Sequence, residues 1–407
     1  MKKLEGILHH QERFLKPVEL AQKDLEQAAE RALERLERNA KKFGDQMVQA
    51  VDGILETDPR GFSYNRYRAT TKVTWKTGIW TGLYWLAYLY SGDPVFRKVA
   101  ESHLKYYYES AKHPEMHNDH DTGFKFTPSC VAAYKITGQE EAREAALRAA
   151  EILLDHYCRE NQFIIRIGMR KPGEPMSHYR MLVDSMMNAP LLFWAYEETG
   201  KEEFREAAIG HCRTTARYLI REDGSSYHHY QFHPETLEPM YGVTHQGHRD
   251  ESCWSRGHSW LLYGYPVAYR YTGDPEFIGI HEAVSYFFME HLPFDVLPYW
   301  DFDFTDGSFE PRDSSAAAIG LCGLLEMAKL LPQDAEQKPL FQNAADLMLK
   351  TLLTHCENKD PETDCLLQYV TNSRPHCQVL GNCEPFGDYF FFEGLVRKLK
   401  PELQLFW

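Results

Sequence analysis

The sequence predicts an all-α fold, an (α/α)6 barrel of six helix hairpins with small irregular or β-hairpin loops at its mouth. Three observations point there. A glycine-centred mark recurs at Ser91-Gly92-Asp93-Pro94, Thr137-Gly138-Gln139-Glu140, Thr199-Gly200-Lys201-Glu202 and Thr272-Gly273-Asp274-Pro275. Glycine stops one helix, and an acidic or proline-led turn opens the next. Each mark follows an apolar, aromatic helix and precedes an amphipathic one, as a layer of inner helices wrapped by outer ones requires. The glycines at 92, 138, 200 and 273 are separated by 46, 62 and 73 residues. Such uneven spacing favours a closed barrel with long loops at one mouth over an open superhelical repeat, which stays the alternative.

In chain order, residues 17–56 read as one long surface helix, with apolar residues at spacings of three and four between charges. Residues 57–74, with Pro59 and Gly61, read as a loop. Residues 73–96 open with an almost wholly apolar and aromatic helix, expected to be buried on most sides. The inner helices continue with one beginning near Thr127, then MLVDSMMNAPLLFWA (181–195), then one that starts in SCWSRGHSWLLYG (252–264). A weaker fifth unit is SSAAAIGLCGLLEMAKLL (314–331) with an outer helix after Pro332. The sixth inner helix would be FGDYFFFEGLVRKL (386–399), its outer partner the N-terminal helix. QFIIRIG (162–168) and SSYHHYQFH (225–233) are candidate mouth hairpins. The expectation is one catalytic domain over residues 1–407.

Composition narrows the function. The net charge of −14 argues against a nucleic-acid partner. No transmembrane run or signal peptide stands out, so the expectation is no membrane partner and a cytoplasmic location, or a periplasmic one if a leader preceded this N-terminus. Nine cysteines, an odd number and several in apolar helical windows, read as buried free thiols. The loop TNSRPHCQVLGNCEPF (371–386) carries cysteine and histidine, but no CxxC pair or zinc-type spacing occurs, so no metal is expected.

The polar residues that stand out precede the inner helices. Asp121, in HDTGF, reads as a helix cap or as a functional carboxylate. Asp184 opens a helix apolar on every side, with Ser185 and Asn188 as polar neighbours, and it too reads as a helix cap or as a functional carboxylate. Desolvation there is expected to raise its pKa and keep it protonated at neutral pH. Two carboxylates facing one cavity are what a glycosidase needs. Gln246, Arg256 and Trp260 fall within fifteen positions, a cluster suited to a sugar acid. Arg256 could clamp a substrate carboxylate, or serve as a buried ion-pair or cation–π arginine. Trp75 could stack on a sugar face or fill the core, and His228 or His229 could bond a ligand.

Taken together, HDTGF, DSMMNAPLLFWA, the Gln246–Arg256–Trp260 stretch, DSSAAAIGL (313–321) and GDYFFFEGL (387–395) resemble glycoside hydrolase family 88, the unsaturated glucuronyl hydrolases. The resemblance runs in order from about Trp75 to Leu395. It implies an (α/α)6 barrel without metal or cofactor; the sequence leaves open whether the chain is a monomer or a homodimer. The implied substrate is the Δ4,5-unsaturated glucuronic acid at the non-reducing end of lyase-generated oligosaccharides, glycosaminoglycan disaccharides among them. The implied chemistry is protonation at C4 of the ring double bond and addition of water at C5, after which the hemiketal opens and the remaining sugar leaves. By matching motif, Asp184 would be the general acid/base and Asp121 the second essential aspartate, with His120 and Phe124 beside it. Gln246, Arg256 and Trp260 would hold the uronate, Trp75 would stack on it, and His228 rather than His229 would be the ligand-binding histidine. The alternatives are a related (α/α)6-barrel enzyme acting on unsaturated rhamnogalacturonan fragments or on saturated sugars, and, from another class, a non-catalytic helical-repeat binding protein.

Overall fold

The computed structural model describes residues 4–51, 65–167 and 179–407. Helix α1 (Gln22–Phe43) precedes the antiparallel strands β1 (Met47–Ala50) and β2 (Tyr67–Thr70). Inner helix α2 (Trp75–Ser91) turns back into outer α3 (Pro94–Ser110). The second inner segment is composite: α4 (Thr122–Phe126), a π turn (Thr127–Val131) and α5 (Ala132–Thr137), followed by outer α6 (Glu140–Asp155). After the short strands β3 (Tyr157–Cys158) and β4 (Phe163–Ile164), strand β5 (Arg180–Leu182) runs into a 3-10 turn (Val183–Met187), inner α7 (Pro190–Thr199) and outer α8 (Glu202–Tyr218). Strands β6 (His229–Phe232) and β7 (Pro239–Val243) complete a three-stranded sheet in the order β5-β6-β7. Two further hairpins follow, α9 (Ser255–Thr272) with α10 (Glu276–Glu290) and α11 (Ser314–Leu330) with α12 (Gln337–Thr351). The strand pair β8 (Val370–Ser373) and β9 (Gln378–Asn382) then leads into α13 (Pro385–Leu399).

The inner segments close into a ring. Helix α2 packs on α4, α4 on α7, the 3-10 turn on α9, α9 on α11, α11 on α13, and α13 back on α2, while α1 covers α13 from outside. Closure makes this an (α/α)6 barrel, and the open repeat falls away. The four glycine marks all stop their helices in the left-handed region, at φ 74, 70, 68 and 67, each amide bonding the carbonyl four residues back. Among the described residues, no helix is long and apolar enough to cross a membrane.

Four details depart from the sequence reading. The helix expected over 17–56 ends at Phe43, because Gly44 turns the chain at φ 62 and Met-Val-Gln-Ala then pairs with Tyr67–Thr70. Part of that segment, and most of the 57–74 loop, lies outside the described residues. The second inner helix begins at Thr122 rather than near Thr127. Pro128 has no N–H for the α ladder, so the helix widens to a π turn and continues. In 162–168 only Phe163 and Ile164 form strand, and Gly168 lies outside the described residues. In 225–233 the strand is His229–Phe232, the central one of its sheet.

The barrel axis is filled by aromatic rings. Trp407, at the end of the chain, is buried and stacks near Phe390 with centroids 6.2 Å apart. It also meets Phe124 edge-on at 5.9 Å, and its indole N–H bonds the Tyr389 hydroxyl. Helix α2 can approach α4 because Gly78 has no side chain; a Cβ there would lie 2.3 Å from the Phe124 carbonyl oxygen. The Gly78→Ala variant is expected to lose about 1–3 kcal/mol, the usual cost of overpacking a rigid contact. Urea unfolding followed by circular dichroism measures this, and unchanged stability would show that the two helices can separate freely.

Candidate active site

Two inner segments meet at the mouth of the barrel through a single close approach. A Cβ on Gly123 would lie 2.4 Å from the Asn188 Cα, so only glycine fits at that crossing. The Phe124 amide donates to the Asn188 side-chain oxygen at 2.8 Å, and the Asn188 amide group lies 3.5 Å from the Asp184 carbonyl. This joint sets Asp121, just before α4, across from Asp184, in the 3-10 turn. Both line one cavity together with Trp75, His120, Phe124, Arg166, Leu182, His228, His229, His245, Gln246 and Trp260.

The aspartates sit in different fields. Asp184 Oδ2 makes no protein hydrogen bond, and its neighbour His228 Nε2 lies 3.6 Å away. The His228 Nδ1 accepts from the backbone amides of His245 at 3.3 Å and Gln246 at 3.2 Å. That fixes the tautomer, leaving the proton on Nε2, facing Asp184. Burial pushes the Asp184 carboxyl up, but the imidazoles of His228 and His120 outweigh it and hold the group below its usual range. The raised pKa expected for Asp184 is therefore not found. It is Asp121 that is raised, by burial and by the like charges of Asp119 and Asp184, against the pull of His120, whose Nε2 lies 3.3 Å from Asp121 Oδ1.

Several polar atoms around the cavity are buried without a protein partner: Asp184 Oδ2, Trp260 Nε1, His120 Nδ1 and His229 Nδ1. Buried polar atoms are nearly always bonded, so this constellation is built for a polar ligand. Apolar walls frame it. Trp75 stacks on Phe386 at 4.9 Å, and Phe124 meets Trp260 at 5.1 Å.

Arg256 does not line the cavity, against expectation. Its Nη1 donates to Asp313 at 2.9 Å and to the Thr371 carbonyl at 2.5 Å, and its Nη2 donates to the Asn372 carbonyl at 2.5 Å. The guanidinium lies over the Trp254 and Phe386 rings at 4.6 and 4.9 Å. Of the two readings open from the sequence, the geometry matches the buried ion-pair and cation–π one. The same Asn372 carbonyl accepts from Gln246 Nε2 at 2.8 Å, so Arg256 steadies Gln246 through a shared acceptor. The 371–386 loop thus becomes the β8–β9 hairpin at the mouth, and it brings His376 to 4.2 Å from the His245 ring. Arg166, which the sequence reading passed over, is a cation that does line the cavity. It ends the apolar run Phe163–Ile165 and was hidden as an ordinary strand end.

A larger cleft, about 440 Å³, lies at the C-terminal ends of α11 and α13. Its lysines Lys329, Lys338 and Lys400 are bonded to backbone carbonyls and Lys398 to Asp346, and no carboxylate pair lines it.

The Glycosyl Hydrolase Family 88 profile matches residues 46–290, more than half of the chain. The chain belongs to Glycosyl Hydrolase Family 88. Within that family it is 38% identical over 400 residues to an unsaturated chondroitin disaccharide hydrolase of Streptococcus pneumoniae, with 97% of each chain covered. The crystal structure of an unsaturated glucuronyl hydrolase from Streptococcus agalactiae superposes with a TM-score of 0.90 at 34% identity, over 100% of both chains. A mutant of the Streptococcus agalactiae enzyme, solved with dGlcA-GalNAc6S, superposes with a TM-score of 0.84 at 33% identity, again over 100% of both chains. As a family 88 member, the chain is a glycoside hydrolase.

Because Asp313 is fully buried against Arg256, removing it strands a cation in the interior. Asp313→Ala is expected to cost about 3–5 kcal/mol of unfolding free energy, as for other broken buried pairs. Guanidinium denaturation reads the loss, and a cost below ~1 kcal/mol would mark the pair as dispensable.

Proposed function

We propose that this chain removes the Δ4,5-unsaturated glucuronic acid from the non-reducing end of lyase-generated oligosaccharides, glycosaminoglycan-type disaccharides in particular. The observation that carries the reading is the pair Asp121 and Asp184 in one aromatic-walled cavity, in a chain that matches unsaturated chondroitin disaccharide hydrolases over nearly its whole length.

The chemistry follows from the placement. The substrate is a cyclic enol ether with a carboxylate on C5. Asp184 gives its proton to C4, and positive charge develops at C5, shared with the ring oxygen. Water adds at C5 and returns a proton to the Asp184 carboxylate, so one group serves as acid and then base. The product is a hemiketal; its ring opens to a ketone at C5, and the hemiacetal left at C1 expels the next sugar as an alcohol. The imidazoles of His228 and His120 hold Asp184 low, which favours the ionised form. An arriving uronate brings a like charge, which pushes that carboxyl upward toward the protonated form the first step needs. Asp121, already raised, adds a second carboxyl beside it. Trp75 offers a ring face for stacking, while Trp260 Nε1, His228 and Gln246 offer polar contacts to the uronate.

Conversion is followed by the loss of ultraviolet absorption as the conjugated double bond of an unsaturated disaccharide is hydrated. Asp184→Asn is expected to lower kcat by about 10²–10⁴-fold, the usual share of general acid–base catalysis, with the circular dichroism spectrum unchanged. Retained turnover in that variant would refute the assignment. Activity confined to unsaturated rhamnogalacturonan fragments would move the enzyme to the alternative substrate class.

A further inference from the structure

We propose that Arg166 and Arg180 form an oxyanion subsite at the side of the cavity, which takes a carboxylate or sulfate group of the substrate. The inference rests on the function proposed above and deepens it by naming how the substrate's negative charge is met.

Two backbone hydrogen bonds and one strand pairing build the position. The His120 amide donates to the Arg166 carbonyl at 3.0 Å, the Arg166 amide donates to the Arg180 carbonyl at 3.0 Å, and β5 carries Arg180 opposite Gln231 in the mouth sheet. Arg166 is therefore tied on one side to the loop that bears Asp121 and on the other to the strand that leads into Asp184. Its side chain lines the cavity. Among the described residues neither arginine forms an ion pair, although arginine–carboxylate pairs are common elsewhere in this acidic chain. The Arg180 Nε is buried without a hydrogen-bond partner. An unpaired guanidinium with a desolvated N–H is a costly arrangement unless an anion completes it.

The surroundings agree. His229 and His245 also line the cavity. Burial first, then the nearby positive groups, Arg166 and Arg180 among them, lower both imidazoles, His245 to about 4. Burial and the neighbouring Arg166 lower Arg180 itself to about 10. Among the described residues no acidic side chain pairs with either arginine, and the two aspartates line the same cavity as Arg166. A planar guanidinium fork suits a carboxylate or a sulfate ester equally well. With Arg256 already committed to Asp313 and two carbonyls, Arg166 is the guanidinium that the cavity presents.

The test uses Arg166→Met and Arg166→Lys in the full chain. Sodium sulfate is titrated calorimetrically into wild type and both variants at fixed ionic strength, and KM and kcat are measured on matched unsulfated and sulfated unsaturated disaccharides. Loss of a charge-assisted hydrogen bond is expected to raise KM by about tenfold to a hundredfold in Arg166→Met with kcat nearly kept, and Arg166→Lys should recover part of it. A rise on both substrates places the uronate carboxylate on the arginines. A rise on the sulfated substrate alone places the sulfate ester there. If the wild type turns over neither disaccharide, the proposed function falls, and weakened sulfate binding by Arg166→Met still upholds the subsite. Unchanged KM on both substrates together with undiminished sulfate binding would overturn it.

Discussion

The site depends on one contact, the crossing of Gly123 over Asn188. Without a side chain at 123, the start of α4 settles onto the backbone at the 3-10 turn, and the Asn188 oxygen takes the amide of Phe124. A hydrogen bond made in this buried place is worth more by its absence than by its presence, since an unsatisfied amide carries the full desolvation cost. The two carboxylates of the site are arranged around that crossing. Asp121 and Asp184 lie on its two arms, and Phe124 leans on Trp260 and on Trp407 below. The barrel therefore does more than hold loops, because the two carboxylates are positioned by inner-helix starts that cannot shift without disturbing the aromatic floor. Placement on rigid elements is what keeps an acid within proton-transfer range of a ring carbon.

Much of this was legible in the chain itself. The four glycine marks announced inner and outer helices because a left-handed helix stop leaves a residue-level signature. Asp184 stood out because a carboxylate in an apolar helix start has few structural excuses. What escaped the sequence was set by partners far along the chain. From the sequence Arg256 is either a substrate clamp or a buried ion-pair arginine, and its ion-pair partner, Asp313, lies 57 residues later. The direction of the Asp184 shift could not be had from burial alone, since His228 arrives from the neighbouring strand segment and reverses the sign. Arg166 was hidden for the opposite reason: a single arginine after three apolar residues looks like an edge. Trp407 belongs to a short tail without periodicity, and only the closed ring creates the axial space it fills.

The division of labour at the mouth follows from charge. The chain is acidic overall, yet its substrate class is anionic. Surface charges beyond about 8–10 Å are screened at physiological salt, so the distant carboxylates neither help nor prevent entry. What governs binding is the local field inside a wall of aromatic rings, where the effective dielectric is low and each cation counts for more. The cavity is lined by two acids, four histidines and one arginine. His228 faces Asp184 with its Nε2 proton, fixed by two backbone amides, and burial lowers His229 and His245, with the nearby positive groups adding to it. A negatively charged ligand in this cavity would meet the Arg166 guanidinium as well as the two aspartates. In the proposed reaction one anion does two things: it pairs with that cation, and by its own charge it raises the carboxyl that protonates the substrate.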